Sequence, residues 1–136
     1  METVTIGQLA RKAQVHVETV RYYERRGLVT KPLRSMANYR LYPEETVRRL
    51  RFIKHAQALG FSLKEIKELL SLRAAPRARC ADVRERAEAK IKDIEGKIVA
   101  LQAMKKALAK LVAACAGHGP ITDCPILESL DAEEQV

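Results

Sequence analysis

The longest proline-free stretch constrains the fold of this chain more than any other feature of the sequence. From Ala81 to Ala114 there is no proline and only Gly96 lowers helix propensity, which predicts one long helix. Alternating steps of four and three residues trace a mostly apolar stripe, the pattern of a coiled-coil seam. The stripe contains Cys80, Arg84, Ala87, Ile91, Ile94, Ile98, Leu101, Lys105, Leu108, Val112 and Cys115. One helix cannot bury its own stripe, so we expect a partner helix, and a homodimer is the simplest source.

Charge divides the chain into two parts. Residues 1–79 contain 17 Lys and Arg against 7 Asp and Glu, a net charge of +10. Residues 80–136 contain 8 Lys and Arg against 10 Asp and Glu, a net charge of −2. This asymmetry favours a polyanion-binding N-terminal part and a C-terminal part with another task. A cationic surface that is merely solvated is the alternative.

Several classes of protein are disfavoured by the sequence. Its first residues lack a basic region followed by an apolar run, and no apolar stretch approaches about 18 residues, so we expect a cytoplasmic protein without membrane segments. The histidines, which are His16, His55 and His118, have no nucleophile or acid beside them in a catalytic motif. We therefore expect no enzymatic activity.

The N-terminal part begins with the pattern of a helix-turn-helix. Thr5 and Gln8 form a capping box that opens a short helix through Ala13. Residues 14–16 have the length of a tight turn, and a second helix is predicted from Val17 to Arg26, ended by Gly27. Two short helices joined in this way are a candidate DNA-binding motif.

The second helix carries side chains suited to DNA. Arginine is the commonest reader of guanine, and tyrosine hydroxyls bind phosphates. Arg21, Tyr22 and Tyr23 are available for these roles, although we expect one of the two tyrosine rings to pack in the core instead. The candidate DNA contacts over the whole chain are Thr5, Val17, Thr19, Arg21, Tyr22, Tyr23, Arg34, Tyr39 and Arg40.

A small hairpin, or wing, is predicted next. Residues 31–35 and 39–42 flank Met36, Ala37 and Asn38, and asparagine tolerates a left-handed turn. Pro43 and the two glutamates after it are expected to open a third helix that ends at Gly60. Its predicted buried stripe is Val47, Leu50, Ile53 and Ala56.

A second capping box, Ser62 with Glu65, opens a fourth helix with Leu63, Ile66, Leu69 and Leu70 inside. We therefore predict a mainly α fold in four parts. These are a winged helix-turn-helix domain (1–73), a linker (74–79), a coiled-coil dimerisation helix (80–114) and a loop with a short terminal helix and tail (115–136).

All three cysteines lie in the less basic part of the chain. Cys80 and Cys115 are separated by 35 residues, about 52 Å along a continuous helix, so one chain cannot hold one ion with both. Antiparallel pairing of two such helices would bring Cys80 of one chain to the partner's Cys115 and the partner's Cys124. Three thiolates select soft metals, and the intervening loop adds only His118 and Asp123 as further ligands.

Other interpretations of the cysteines stay open at this point. Each cysteine alone is as well explained as a small buried apolar residue. A thiol-based redox sensor would pair Cys115 with Cys124 in a disulfide. A metal-storage protein would account for the cysteines but not for the basic N-terminal part.

The chain resembles the MerR family of bacterial transcription regulators over nearly its whole length. The matching stretches are residues 5–10 (TIGQLA), 18–24 (ETVRYYE), 27–28 (GL), 38–42 (NYRLY), 59–63 (LGFSL) and 124–126 (CPI). The resemblance implies a winged helix-turn-helix dimer joined by an antiparallel coiled coil. It also implies binding to double-stranded promoter DNA whose −35 and −10 elements are too far apart. Effector binding would distort that DNA so that RNA polymerase can use both elements.

The cysteine pattern is similar to that of one branch of the family. Sensors of monovalent metals have serine at the position of Cys80 and a shorter loop, and zinc sensors have an extra cysteine at the position of Ala114. The remaining resemblance is to the mercury-responsive branch, which implies Hg(II) bound by Cys80, Cys115 and Cys124. Pb(II), Cd(II) and Zn(II) are alternatives. The chain departs from the family pattern at Asn38, where glycine is usual, and at His16, where a better helix cap is usual.

Overall fold

The computed structural model describes residues 2–34 and 39–132. Within these residues the chain is mainly helical, as predicted, and forms two compact units, Met1–Lys90 and Ile91–Val136. The elements are β1 (Thr3–Thr5), α1 (Ile6–Ala13), α2 (Val17–Arg25), β2 (Leu33–Arg34), β3 (Arg40–Pro43), α3 (Glu45–Ala58), α4 (Leu63–Ala74), α5 (Cys80–Ala114), a 3-10 turn (Ile121–Asp123) and α6 (Pro125–Asp131).

The predicted helix-turn-helix is confirmed in α1 and α2. The Thr5 hydroxyl accepts a hydrogen bond from the Gln8 amide at 3.2 Å, and the Gln8 side chain accepts one from the Thr5 amide at 2.9 Å. The left-handed conformation of Gln14, with φ of 57°, ends α1. His16 makes no side-chain capping bond to α2, in line with the weaker start expected there. The helix ends at Arg25, one residue before the predicted end.

The three strands form one antiparallel sheet with the order β1, β3, β2. Strands β2 and β3 form the predicted hairpin, in which Arg34 is opposite Arg40. The residues of its turn, 35–38, lie outside the described part of the chain, so the conformation predicted for Asn38 is not addressed. Strand β1 was not predicted, because three residues are too few to show an alternating pattern. Pro43 ends β3 opposite Thr3, and α3 accordingly begins two residues later.

The hydrophobic core lies in the first unit and confirms the predicted stripes of α3 and α4. Val47, Leu50, Ile53 and Ala56 are buried, as are Ile66, Leu69 and Leu70, while Leu63 is partly buried. All of these except Leu69 pack with Leu9 and Ala10 of α1 and with Val20 of α2. The capping box of Ser62 and Glu65 is present at the start of α4. The packed helices and the hairpin together hold α2 at the surface.

Helix α5 is continuous from Cys80 to Ala114, as the proline-free stretch predicted. In the single chain its apolar stripe is uncovered: Ile91, Ile94, Ile98, Leu101, Leu108 and Val112 are all exposed. Exposed apolar residues over several turns mark a surface that another protein segment covers. The first compact unit ends at Lys90 and includes the first turns of α5, so the division predicted at residues 73 and 79 stays a prediction.

The residues after α5 form a loop, a 3-10 turn and α6, which has Pro125 at its start. The helical turn or two predicted after Cys124 is therefore confirmed. Most of the acidic tail, residues 133–136, lies outside the described part of the chain. No helix in the described ranges combines the length and apolar character that a membrane span requires.

Candidate nucleic-acid interface and cysteine sites

Helix α2 presents Arg21 to solvent. Its Nη1 atom lies 2.9 Å from Oε1 of Glu18, one turn earlier on the same helix. Both side chains are exposed, and an ion pair in water contributes little stability. The guanidinium group can therefore exchange this carboxylate for a DNA base or phosphate at small cost.

The two adjacent tyrosines of α2 have different environments. Tyr22 is 41% exposed and Tyr23 is 5% exposed, so the prediction that one ring packs in the core is confirmed. The Tyr23 hydroxyl donates a hydrogen bond to the side chain of Gln57 in α3. The guanidinium of Arg26 lies 5.9 Å from the centre of the Tyr22 ring. Of the two, Tyr22 is the exposed ring, and Tyr23 is a core residue.

A carboxylate between α2 and the wing was missed by the sequence analysis. Glu24 is only 14% exposed; its Oε2 accepts a hydrogen bond from the buried Tyr42 hydroxyl at 2.8 Å and lies 3.9 Å from Nη1 of Arg40. Burial, followed by the hydrogen bond to Glu24, raises the pKa of Tyr42 to about 12. Arg21 and Arg25 line the same cleft around Glu24. This network fixes β3 against α2, so that both present arginines on one side of the unit.

The remaining DNA-contact candidates lie in three settings. The Thr5 hydroxyl caps α1 at an exposed position, and Val17 packs against the core with Thr19 partly buried nearby on α2. Arg34 is exposed on β2, and Tyr39 is exposed directly before β3. None of these placements tests a DNA contact, and the contacts stay predictions.

The cysteines lie at element boundaries. Cys80 is the first residue of α5 and is exposed, Cys115 follows the last residue of α5, and Cys124 directly precedes α6. All three are free thiols. Within residues 2–34 and 39–132 of one chain, no three His, Cys, Asp or Glu side chains come together as a metal site. The three thiols are soft donors that suit a soft metal, and their joint role as ligands stays a prediction.

Comparison with known proteins identifies the family. The model of the MerR HTH family regulatory proteins matches residues 4–72, and the model described as MerR, DNA binding matches residues 47–111. This chain belongs to the MerR family. A mercuric resistance operon regulatory protein of Bacillus cereus is 44% identical to this MerR-family chain over 125 residues, which cover 92% of the chain and 95% of the relative.

Solved structures agree with this assignment. A transcription regulator from Ralstonia metallidurans CH34 was solved in complex with lead(II) and is 38% identical to this chain. The match has a TM-score of 0.81 and covers 93% of this chain and 98% of that one. The MerR regulator of Bacillus megaterium MB1 was solved in complex with mercury(II) and is 40% identical to this chain. The match has a TM-score of 0.71 and covers 95% of this chain and 100% of that one. The predicted family and the predicted winged helix-turn-helix fold with a long helix are thereby confirmed.

Proposed function

We propose that this chain is a homodimeric, metal-responsive regulator of transcription. It binds double-stranded promoter DNA through the winged helix-turn-helix and binds a soft divalent metal, Hg(II), through three cysteines. Metal binding distorts the promoter so that RNA polymerase can use it to transcribe metal-resistance genes. The observation that carries the proposal is the position of Cys80 and Cys115 at the two ends of a helix whose apolar stripe is uncovered.

In the proposed dimer two copies of α5 pair antiparallel. The apolar stripe of each helix then covers that of the other, since burial of apolar surface is the main favourable term in association. Each Cys80 comes to the end of the partner's α5, where the partner's Cys115 lies. Two equivalent sites with three thiolates each follow from the symmetry.

The proposed DNA interface consists of exposed residues from α2 and the wing. Arg21 reads a base edge in the major groove, while Tyr22, Arg34, Tyr39 and Arg40 contact the phosphate backbone. The net charge of +10 over residues 1–79 supports this assignment because cationic surface supplies most of the affinity for DNA. Tyr23 is omitted from the interface because its ring is buried.

The identity of the metal is proposed from the ligand set and the relatives. Hg(II) is favoured by three thiolates and by the relative of Bacillus cereus that is named for mercuric resistance. A similar protein was solved with lead(II), so Pb(II) is the nearest alternative, with Cd(II) and Zn(II) behind it. In the redox alternative Cys115 and Cys124 form a disulfide instead of binding metal.

Metal titration of the purified dimer in the presence of excess small-molecule thiol tests the choice of metal. We expect Hg(II) to remain bound with three sulfur ligands, because it is the softest of the candidates, and Zn(II) to be removed. Retention of Pb(II) but not Hg(II) at this site would reassign the metal. A protein that takes up no metal but changes its DNA binding on oxidation would support the redox alternative.

A mixed dimer tests the contribution of both chains to each site. One subunit carries Cys80→Ala, and the other carries Cys115→Ala with Cys124→Ala, so neither homodimer can supply three thiolates. The mixed dimer contains one complete site, and we expect its metal affinity to approach that of the wild type. Absence of a three-sulfur absorption band from the mixed dimer, with its presence in the wild type, would contradict the antiparallel arrangement.

A further inference from the structure

Lys90 is the one buried residue of α5, a helix that lies entirely within the described part of the chain. Its side chain is 8% exposed. A lysine ammonium is costly to bury unless it is paired, so the position calls for a specific partner. That partner comes from α4 in the same compact unit.

The Lys90 ammonium contacts the junction between α3 and α4. Its Nζ lies 2.8 Å from Oε1 of Glu65, and the same oxygen accepts the Ser62 amide at 2.8 Å in the capping box of α4. The ammonium also lies 5.6 Å from the centre of the Phe61 ring. Phe61 in turn donates its amide to the Ala56 carbonyl in α3 at 3.1 Å. One side chain of α5 thus contacts the end of the α3–α4 loop and the first turn of α4.

A second ion pair joins the same two helices one turn away. Arg86 of α5 pairs with Glu68 of α4. Residue numbers fall along α5, from 90 to 86, as they rise along α4, from 65 to 68, so the two pairs form consecutive rungs between antiparallel turns. We refer to Lys90–Glu65 and Arg86–Glu68 as the α4–α5 ladder. Two rungs at different heights restrict the tilt of α5 on α4, which a single contact cannot do.

Stability alone does not explain an ion pair whose lysine is buried, at 8% exposed, and whose glutamate is 39% exposed. Replacing such a pair with apolar residues of similar size is often neutral or stabilising, so its distinguishing property is directional geometry. The geometry matters because α5 continues for 24 residues beyond Lys90, about 36 Å. A tilt of about 5° at Lys90 would move the far end of such a helix by about 3 Å, close to the spacing of one base-pair step.

We propose that Lys90 is a positioning residue whose ladder contacts fix α5 on the DNA-binding unit and thereby set the half-site spacing that the dimer accepts. The inference rests on the proposed function, since it requires a dimer on DNA. In this proposal Lys90 acts through α4 and is not a ligand of DNA or of metal. Its role is to hold the start of the dimerisation helix at a defined angle to the helices that support α2.

The test compares Lys90→Met with Lys92→Met. Methionine keeps a flexible aliphatic chain at position 90 and removes the charge. Lys92 is a matched control because it is an exposed lysine of the same helix and lies outside the apolar stripe of α5. Affinity is measured for the operator that the wild type selects from random DNA, and for versions with one or two base pairs inserted between the half-sites.

We expect the wild type and Lys92→Met to reject the altered spacings equally. Lys90→Met should bind the selected operator within about twofold of the wild type, while its discrimination against the altered spacings falls by about two- to thirtyfold. The reversed pair Arg86→Glu with Glu68→Arg should discriminate as the wild type does, although each single reversal relaxes the preference. A role limited to stability would relax the spacing preference neither in Lys90→Met nor in the single reversals at Arg86 and Glu68.

Equal discrimination by Lys90→Met and the wild type would overturn the inference while leaving the proposed function intact. Failure of the wild type to select any operator would instead overturn the proposed function. In that case amide exchange in residues 80–90 decides the role of the ladder. Faster exchange in Lys90→Met than in Lys92→Met supports the positioning role, and equal exchange removes it.

Discussion

Removal of the Tyr42 hydroxyl should destabilise the first unit through a single hydrogen bond. Tyr42→Phe deletes the donor that lies 2.8 Å from Oε2 of Glu24 and leaves the ring in the core. A hydrogen bond to a charged group contributes about 1.5–3 kcal/mol. Solvent compensates little here, because Tyr42 is fully buried and Glu24 is 14% exposed. We therefore expect the free energy of unfolding to fall by about 2 kcal/mol.

The assay is urea denaturation at fixed protein concentration, because the stability of a dimer depends on concentration. Tyr22→Phe is the matched control: it removes a hydroxyl from the neighbouring exposed ring of α2 and should change stability by less than about 0.5 kcal/mol. Tyr22→Phe should instead weaken DNA binding more than Tyr42→Phe does, since Tyr22 belongs to the proposed interface. If Tyr42→Phe is as stable as Tyr22→Phe, the Glu24 network does not hold the wing to α2.

Three further outcomes are expected. Arg21→Ala should abolish operator-specific footprinting with the dimer still folded, since a bidentate guanine contact contributes about 1–3 kcal/mol of discrimination; an unchanged footprint would exclude the base contact. Arg40→Ala should weaken binding to all DNA sequences and reduce the salt dependence by about one ion, whereas altered sequence preference at constant salt dependence would argue against a phosphate contact. The hydrogen bond from Lys90 lowers the pKa of Glu65 below its ordinary value of 4.5. The ionised Glu65 carboxylate therefore stabilises the fold above pH 4.5, and this stabilisation is lost as the pH falls through the lowered pKa of Glu65. Glu65→Gln should flatten the acid side of the plot of stability against pH.

Local patterns were sufficient to predict most of the elements of the first unit. The two capping boxes, at Thr5 and Ser62, specify helix starts through bonds within three residues, so the sequence contains both partners. The stripe of α3 has four members spaced three residues apart and identifies its buried face. Strand β1 escaped prediction because its order depends on pairing with β3, about 40 residues away, and on no local repeat.

The sequence indicated which types of side chain are candidates for binding DNA, but not which of them are buried or which partners they meet. Sequence indicated that one ring of Tyr22 and Tyr23 is buried but not which one, because adjacent helical residues point about 100° apart and the neighbouring helix decides. Glu24 could be recognised only with Tyr42, which lies 18 residues away and meets it through the wing. A signal did exist, since Tyr42 occupies the inward position of β3 and its hydroxyl needs a partner when buried.

The heptad repeat runs along the whole of helix α5, and a second, shorter row of residues at the start of the helix was overlooked beside it. Its first turns serve two surfaces: the uncovered stripe that includes Ile91, and a second row formed by Val83, Arg86 and Lys90, spaced by three and four residues. The second row ends after two turns and contains two cations, so it has no apolar signature in the sequence. Its partners, Glu65 and Glu68, are likewise recognisable only once α4 is packed beside it. The heptad pattern thus predicts that α5 has a partner, while the two cations of the second row contact α4 in a way that only the packed structure reveals.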